Sequence, residues 1–315
     1  MGKPMRHRNP SGPLSRLVWM TSCALSCAVP AHADSAPDGS IADAMPPSSL
    51  TGGRLLLTQG VSSIEGAAGG GLTPWALIAG YDTAHQVGAN LHDTYIKTQD
   101  YSLNTYGVAL GLSNRVEFSL AQQSLDMRQA GVALGLGSAY KLTQDIVGFK
   151  VRLFGDAVLD QDSWLPQVAA GIQFKHSENG ELLDALGVKN HSGTDFYLSA
   201  SKLLLNQSLL FDTTLRLTKA NQYGLLGFGG DRSDNYHPEF EGSLAYLLSK
   251  RLAIGVEYRS KPNNLSFARE QNAYDAFAAW TLNKYVSLTV AYVQLGDIAT
   301  FKDEHGYYVS AQFGF

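Results

Sequence analysis

The last ten residues of the chain, 306–315, alternate between apolar and polar positions. Side chains of an extended strand point to opposite faces in turn, so this period of two predicts a strand with one apolar face. Five residues form that apolar face: Tyr307, Val309, Ala311, Phe313 and Phe315. The opposite face is mostly polar. The pattern therefore predicts that the chain ends in an amphipathic strand.

The same period of two recurs along the chain. In residues 115–120, Val116, Phe118 and Leu120 alternate with charged or polar residues, and residues 252–259 repeat the pattern. Other segments of this kind are 106–112, 147–155, 167–175, 208–217, 240–248, 274–282 and 286–292. Short strands of regular alternation predict an all-β protein.

The connections between these segments favour a membrane barrel over a soluble sandwich. Minimal turns at 113–114, 249–250 and 283–284 alternate with long polar connections, which are 122–144, 176–194, 218–239, 259–272 and 296–305. Outer-membrane barrels have short periplasmic turns and long extracellular loops. Aromatic residues near strand ends suit the interfacial girdles of such barrels. The C-terminal strand likewise resembles the assembly signal of bacterial outer-membrane barrels.

The strands are counted backwards from Phe315, which is placed in the periplasm, and each strand runs opposite to the one before it. The count reaches a strand at 72–81 that also runs inward. The total is then odd, whereas bacterial single-chain barrels have even numbers of strands. Adding the segment 54–64 gives a transmembrane antiparallel β-barrel of about 14 strands. Twelve strands are the alternative if a weak segment such as 87–96 is not a strand. Both termini are expected in the periplasm.

The N-terminal region predicts export. Four basic residues within 3–16 precede an apolar or small-residue run at 17–29, and Ala31-His32-Ala33 fits a cleavage site. Residues 1–33 are therefore predicted to be a signal peptide. Residues 34–50, rich in Pro, Ser, Ala and Asp, are predicted to be a disordered leader. Residues 51–315 would form the barrel of a Gram-negative outer-membrane protein.

Composition narrows the function classes. Both cysteines, Cys23 and Cys27, lie in the predicted signal peptide, so no disulfide or thiol chemistry is expected in the barrel. The formal net charge of −4 gives no basic footprint for nucleic acid. The glycine-rich stretch at 66–71 lacks the Gly-Lys-Ser/Thr of a phosphate loop and is interpreted as a kink in the chain. No cofactor or metal site is predicted.

Three stretches resemble an uncharacterised family of Gram-negative envelope proteins, a domain of unknown function. The first is GGRLLLTQGVSSIEGAAGGGLTPWALIAGYDT at 52–83, and the others are GDAVLDQDSWLPQVAAGIQFKH at 155–176 and ANQYGLLGFGGD at 220–231. The resemblance spans nearly the whole predicted mature chain. It implies an outer-membrane barrel and brings no substrate, activity or catalytic residue.

Charged residues on the polar strand faces are predicted to point into the barrel, because an Arg or Lys facing lipid at the midplane costs about 2–4 kcal/mol. The predicted lumen-lining residues are Arg115, Glu117, Lys150, Arg152, Lys175, Asp212, Arg216, Glu241, Arg251, Glu257, Arg259 and Asp275. Arg251, Glu257 and Arg259, on one strand face, are the leading candidates. Their mixed signs predict no strong ion preference.

Inward charges of this kind can line a water-filled path. The predicted function is therefore a porin-like passive channel for small solutes, and the expected partners are outer-membrane lipid and the barrel-assembly machinery. The alternative is a structural or binding barrel in which these charges pair across a plugged lumen. An outer-membrane lipid hydrolase is a third possibility, but no Ser-His-Asp set can be named from the spacing, so no enzymatic activity is predicted. The oligomeric state is left open.

Overall fold

The computed structural model describes residues 61–82, 85–158 and 164–315. The predicted signal peptide at 1–33 and leader at 34–50 lie outside the described residues. Most of the predicted strand at 54–64 also lies outside them.

Twelve antiparallel strands, β3 to β14, close into a single barrel. Each strand pairs with its neighbours in sequence, and β14 pairs with β3 to close the ring. The strands are β3 (Val87–Lys97), β4 (Ser102–Leu112), β5 (Val116–Asp126), β6 (Lys141–Phe154), β7 (Gln167–Ser177), β8 (Ser192–Leu204), β9 (Leu209–Thr218), β10 (His237–Ser249), β11 (Leu252–Arg259), β12 (Ala273–Thr281), β13 (Val286–Ile298) and β14 (Phe301–Gly314). Closure leaves no free edge strand, as a membrane barrel requires.

The count of twelve corrects the predicted 14 and agrees with the alternative. The weak segment at 87–96 is a genuine barrel strand, β3. The two segments in error are at the N-terminus. Residues 72–81 lie inside the barrel rather than in its wall, and the described end of 54–64 forms only the short strand β1 (Val61–Ser62), paired with β2 (Ala68–Gly69). A short apolar run has the composition of a barrel strand, so periodicity alone did not separate the two.

The connections divide the barrel into two ends. At the turn end, residues 113–115, 155–166, 205–208, 250–251 and 282–285 join the strands, and the chain terminates there. At the loop end, connections of 14, 14, 18 and 13 residues occupy 127–140, 178–191, 219–236 and 260–272. The predicted loop at 296–305 is mostly strand, because β13 and β14 continue to within two residues of each other.

Four short helical segments lie in the connections of the described chain. They are α1 (Arg128–Ala133), α2 (Gly180–Ala185) and two 3₁₀ turns, Leu205–Gln207 and Gln222–Gly224. Among the described residues, no helix combines the length and the apolar character needed to cross a bilayer.

The exterior of the barrel is apolar over most of its height. Every second strand residue is exposed, and these positions are dominated by Leu, Val, Phe, Tyr and Trp. On β11, for example, Leu252, Ile254, Val256 and Tyr258 all face outward. An outward apolar band with aromatic residues at its margins is the surface that an outer-membrane barrel presents to lipid. The chain is therefore an outer-membrane β-barrel.

Candidate functional site

The lumen is occupied by the N-terminal part of the described chain. Residues 61–82, here called the plug, are all buried. The plug begins with the hairpin β1–β2, in which Val61 pairs with Gly69 and Ser62 with Ala68. It ends beside the C-terminus, where the Tyr81 N–H donates to the Phe315 carbonyl at 3.3 Å. The plug therefore runs inside the barrel from its interior to its turn end.

Glu65 is the centre of the contacts between plug and wall. Its carboxylate is fully buried and lies 2.9 Å from Arg259 Nη2 and 3.2 Å from Arg216 Nη2. It also forms a very short ion pair with Lys175. These three cations come from β7, β9 and β11. One plug carboxylate thus joins three strands across the barrel.

Two wall carboxylates complete this cluster. Asp195 Oδ2 lies 2.7 Å from Lys175 Nζ and 3.2 Å from Arg216 Nη1, and Glu241 contacts Arg216 and Arg259. The formal charges are three positive (Lys175, Arg216, Arg259) and three negative (Glu65, Asp195, Glu241). Buried charges are tolerated when they are paired and hydrogen-bonded. The cluster is neutral only while Glu65 is in place.

A second contact lies nearer the turn end, at Glu117 and Lys150. Lys150 Nζ is 3.1 Å from Glu117 and donates to the carbonyls of Ala68 (2.9 Å) and Leu77 (2.7 Å). The Glu117 carboxylate accepts backbone N–H groups of the plug from Ala68 at 3.0 Å and from Ala79 at 2.9 Å. This pair of wall residues therefore binds the plug backbone through both donors and acceptors.

Glu257 holds the glycine-rich part of the plug. It accepts the Leu72 N–H and the Thr73 hydroxyl, both at 2.7 Å. A Cβ at Gly70 would lie 1.7 Å from Glu257 Oε1, so only glycine allows this approach. The predicted kink at 66–71 is thus a close packing of plug backbone against the wall.

Packing around the plug leaves little free space. Two small apolar cavities flank it, each of about 30 Å³. One contains Ile64 and Tyr223 in its lining, and the other contains Trp75 and Phe277. Each has room for only a few water molecules. In the state that the structure describes, the plug therefore occupies the interior of the barrel.

The loop end is closed by contacts between two connections. In residues 260–272, Lys261 donates to the Leu295 carbonyl at 2.8 Å and lies 3.9 Å from Glu270. Glu270 accepts the Gln222 N–H at 2.8 Å, which joins this loop to residues 219–236. Burial raises the pKa of Glu270 from 4.5 to about 7 and lowers the pKa of Lys261 from 10.5 to about 8. A titratable pair is thus among the contacts at the loop end.

The structure brings most of the predicted lumen residues together. Nine lie on the inner wall and are buried: Glu117, Lys150, Lys175, Asp212, Arg216, Glu241, Glu257, Arg259 and Asp275. They contact the plug or one another rather than open water. Asp212, for example, accepts from the Ser201 hydroxyl, and Ser201 Oγ accepts the Ala76 N–H of the plug at 2.8 Å.

The remaining three predicted lumen residues lie at the turn end of the barrel. Arg115 and Arg251 lie in the turns at 113–115 and 250–251 and are exposed. Arg152 is half-buried at the turn end and pairs with Asp156 at 3.4 Å. The alternation was extended one residue too far into the turns, where strand periodicity no longer sets the direction of a side chain. Arg251, one of the leading candidates, is therefore not part of the lumen.

Sequence reasoning missed the plug and its key residue. Glu65 is the only charged residue between 61 and 81, and it lies in a stretch that resembles an apolar or flexible segment. The signal that could have identified Glu65 was a single carboxylate in this stretch, since the predicted inward residues include more cations than anions. Asp195 was also missed, because β8 begins inside the predicted polar loop.

One Ser–His pair lies on the outer surface, whereas a second, Ser233 with His237 at 2.9 Å, is partly buried at the start of β10. His176 Nδ1 lies 2.7 Å from Ser192 Oγ, at the loop end of β7 and β8. The next outward residue in this register is Asp145, which pairs with His176 across β6 and β7. Asp145 Oδ1 accepts instead from Gln122 Nε2 at 2.8 Å. The pair is therefore a hydrogen-bonded contact on the outer surface, with its nearest carboxylate engaged elsewhere.

Comparison with known proteins identifies the family. A profile described as "Protein of unknown function (DUF3034)" matches residues 58–312, so the chain belongs to this family. This confirms the resemblance to an uncharacterised family that the sequence indicated. No curated protein sequence matched the chain.

Several solved outer-membrane structures are similar in fold. The KdgM porin is 11% identical, with a TM-score of 0.47 over 72% of this chain and 99% of its own. The NanC porin is 13% identical, with a TM-score of 0.45 over 71% and 98% of the two chains. The outer-membrane protein Omp33 of Acinetobacter baumannii is 10% identical, with a TM-score of 0.42 over 72% and 97%.

Proposed function

We propose that this member of the DUF3034 family is a porin-like outer-membrane channel for small solutes whose passage is closed by its own plug. Solutes would cross only when residues 61–82 move. The observation that carries the proposal is the plug itself, which is held in a closed barrel by wall charges of the kind that would otherwise line an aqueous path.

The character of the contacts favours a plug that can move. Ion pairs and hydrogen bonds involving Glu65, Glu117 and Glu257 hold it to the wall, beside apolar contacts of residues such as Leu72 and Trp75. Water can replace the polar partners when the plug shifts, whereas exposing a purely apolar interface would cost about 25 cal/mol per Å² with no compensation. The glycines at 69–71 also leave the plug backbone free of side chains where it meets the wall. These features support a gate over a permanent core.

The size of the barrel supports the same proposal. Barrels of about eight strands are filled by their own side chains, and larger ones enclose space for a ligand or a channel. This barrel has twelve strands, and the plug fills its interior. Displacing the plug would therefore open a path. A structural barrel, the alternative, would keep the plug in place under all conditions.

The proposed orientation places the turn end and both termini in the periplasm. The four long connections at the loop end would then be extracellular, as in other outer-membrane barrels. Because the predicted mature chain has no cysteine, single cysteines can report the orientation in intact cells. Glu181→Cys, at the loop end, should react with an impermeant maleimide, and Lys250→Cys, at the turn end, should not. The reverse pattern would contradict the orientation.

Liposome swelling tests the channel function. Wild-type protein should admit small sugars slowly, whereas Glu65→Ala should admit them faster, because it removes the carboxylate that joins the plug to three strands. Glu181→Gln, which removes the same charge from an exposed position at the loop end, is the control and should behave as wild type. Equal, negligible swelling by all three inserted proteins would favour the structural barrel.

The proposal is for a protein without enzymatic activity. One observation favours the lipid hydrolase instead, which is the pairing of His176 with Ser192 on the outer surface. Such a pair has the elements of an activated nucleophile. A phospholipid hydrolysis assay on wild-type protein and Ser192→Ala decides between them. Hydrolysis that Ser192→Ala abolishes would establish the enzyme, and no hydrolysis by the refolded protein would agree with the channel.

A further inference from the structure

The outer face of strands β3 to β6 carries charged and polar residues near the loop end. On β11 the four outward residues are all apolar or aromatic. On β6 the outward residues nearest the loop end are Lys141, Thr143 and Asp145, and apolar residues begin only at Val147. The outer face of β3 has the same order towards the loop end, from Leu91 through Asp93 to Lys97. A polar surface therefore lies directly above the apolar band on this side.

Strand register arranges this surface in rows. The apolar row is Leu91, Val108, Leu120 and Val147, each paired directly with the next across neighbouring strands. All four line a groove of about 530 Å³ on the outer face. Its mainly apolar lining suits an acyl chain, which in a membrane is the apolar group available to fill it.

The next row towards the loop end is polar and linked by hydrogen bonds. It consists of Asp93, Tyr106, Gln122 and Asp145, again paired across neighbouring strands. The Tyr106 hydroxyl donates to Gln122 Oε1, and Gln122 Nε2 donates to Asp145 Oδ1 at 2.8 Å. Asp93 Oδ1 accepts from Asn104 Nδ2 at 3.0 Å. The last three residues of the row also line the groove.

The hydrogen-bonding capacity of the two carboxylates in this row determines which kind of lipid can bind. Each carboxylate has acceptor positions beyond the one bond described, and neither Asp93 nor Asp145 forms an ion pair among the described residues. Ester-linked phospholipids present only acceptor oxygens where their chains begin, so they would meet these carboxylates unfavourably. Lipids with amide N–H and hydroxyl groups at that depth supply the donors that carboxylates accept.

The following row, of Tyr95, Asn104, Ser124 and Thr143, is uncharged, and the outermost row adds two lysines and one carboxylate. Lys97 and Lys141 are exposed at its two ends, with Ser102 and Asp126 between them. Asp126 Oδ1 accepts the Arg128 N–H at 3.0 Å. Three strand spacings separate the lysines, which is about 14 Å. Two such cations suit phosphate groups at opposite ends of one headgroup.

We propose that this surface binds the lipid A part of lipopolysaccharide, a phosphorylated glycolipid with amide-linked, hydroxylated acyl chains. Three of these four rows match its chemistry in order of depth: phosphates at the lysines, amide and hydroxyl donors at the acidic row, and a chain in the groove. The inference rests on the proposed orientation, in which the loop end lies in the outer leaflet.

Binding of purified lipid A to the detergent-solubilised full-length mature protein, measured by native mass spectrometry, tests the site. Lipid A should bind at least about tenfold more tightly than phosphatidylglycerol, which is anionic but ester-linked. Lipid A without its phosphates should bind about thirtyfold more weakly, because two lysine contacts are lost. This comparison of lipids needs no mutation of the protein. Equal binding of lipid A and phosphatidylglycerol would overturn the proposal.

Paired variants separate this site from general attraction to the barrel. Lys97→Gln with Lys141→Gln should weaken lipid A binding about thirtyfold. Lys250→Gln with Lys284→Gln, which removes the same charge from exposed positions at the turn end, should leave binding unchanged. Asp145→Leu should reduce the preference for lipid A over phosphatidylglycerol about tenfold. Equal effects of both lysine pairs would contradict the site.

The outcomes remain distinct from those of the channel. The preference for lipid A is measured by binding and not by solute passage. If the wild type shows no preference for lipid A while Glu65→Ala liposomes swell faster, the lipid site alone is rejected. Lipid A selectivity with no solute passage by any plug variant would reject the channel alone.

Discussion

Glu65 and Arg216 meet inside the barrel although 151 positions separate them in the sequence, with Glu65 Oε2 lying 3.2 Å from Arg216 Nη2. Neither side chain is accessible to solvent in any significant measure. The contact joins the plug to the wall strand β9 and belongs to a cluster whose six formal charges cancel. The plug is therefore held partly by electrostatic contacts, and these can be tested one carboxylate at a time.

Replacing Glu65 should loosen the plug. Glu65→Ala leaves the buried cluster with one excess positive charge, and breaking a buried pair in this way costs about 3–5 kcal/mol. Limited proteolysis should then cleave within 61–82 in the variant and spare this segment in the wild type. Glu65→Gln keeps the shape and should lie between the two. An equally protected plug in Glu65→Ala would contradict the role given to this carboxylate.

Gly70 offers a steric route to the same result. A Cβ at this position would overlap Glu257 Oε1, at 1.7 Å, so Gly70→Ala must displace either the plug or Glu257. Faster amide exchange at Leu72, whose N–H Glu257 accepts, is the expected result. Gly242→Ala is the matched control, because its Cβ would only make ordinary contact with Phe240 at 3.4 Å. Unchanged amide exchange at Leu72 in Gly70→Ala would contradict the close contact between Gly70 and Glu257.

Closure at the loop end should depend on pH. Glu270 has a pKa of about 7 in the closed loop and an ordinary value of 4.5 when solvated, so between these pH values the closed form binds more protons. Stability of the closed loop therefore falls as pH rises from 4.5 to 7. Lys261, with its pKa lowered to about 8, makes stability rise again from pH 8 to 10.5.

The loop at 260–272 should accordingly open most readily near pH 7 to 8. A fluorescent label on an introduced cysteine, Arg269→Cys, at an exposed position of this loop, reports its opening. Glu270→Gln should flatten the profile between pH 4.5 and 7 while leaving the alkaline limb. A variant profile that still falls across that range would assign the effect to another group.

The C-terminal residue should matter for assembly. Phe315 extends the last strand pairing, because its N–H donates to the Ala89 carbonyl at 3.0 Å and its carbonyl accepts the Ala89 N–H at 2.9 Å. Its side chain is exposed and stays available to an assembly partner. Deleting Phe315 should reduce the folded fraction in the outer membrane, seen as loss of heat-modifiable migration on gels. Unchanged migration would contradict the assembly signal.

Much of the wall could be predicted from alternation alone. On β9, residues Phe211, Leu215 and Leu217 face outward, while Asp212 and Arg216 face inward, as the period of two requires. The prediction succeeds there because one face meets lipid and the other meets polar groups. A long-range contact such as Glu65 with Arg216 leaves no such periodic signal.

The plug could not be predicted in the same way. Residues 61–82 are buried on every side, so their sequence carries no alternation, and the apolar run at 72–81 has the composition of a strand. The direction of the side chain was also predicted wrongly at Arg115 and Arg251, because the chain leaves the sheet for a turn there. The polar rows on β3 to β6 required the register, because Asp93 and Asp145 are far apart in sequence.

Single-channel conductance in planar bilayers tests the central claim most directly. Wild-type protein should be closed for most of the time, and Glu65→Ala should show frequent, salt-dependent steps, because its plug no longer neutralises Lys175, Arg216 and Arg259. Steady wild-type steps that Glu65→Ala leaves unchanged would contradict a plug that closes the lumen. Silence from Glu65→Ala shown to be inserted and β-rich would contradict the channel.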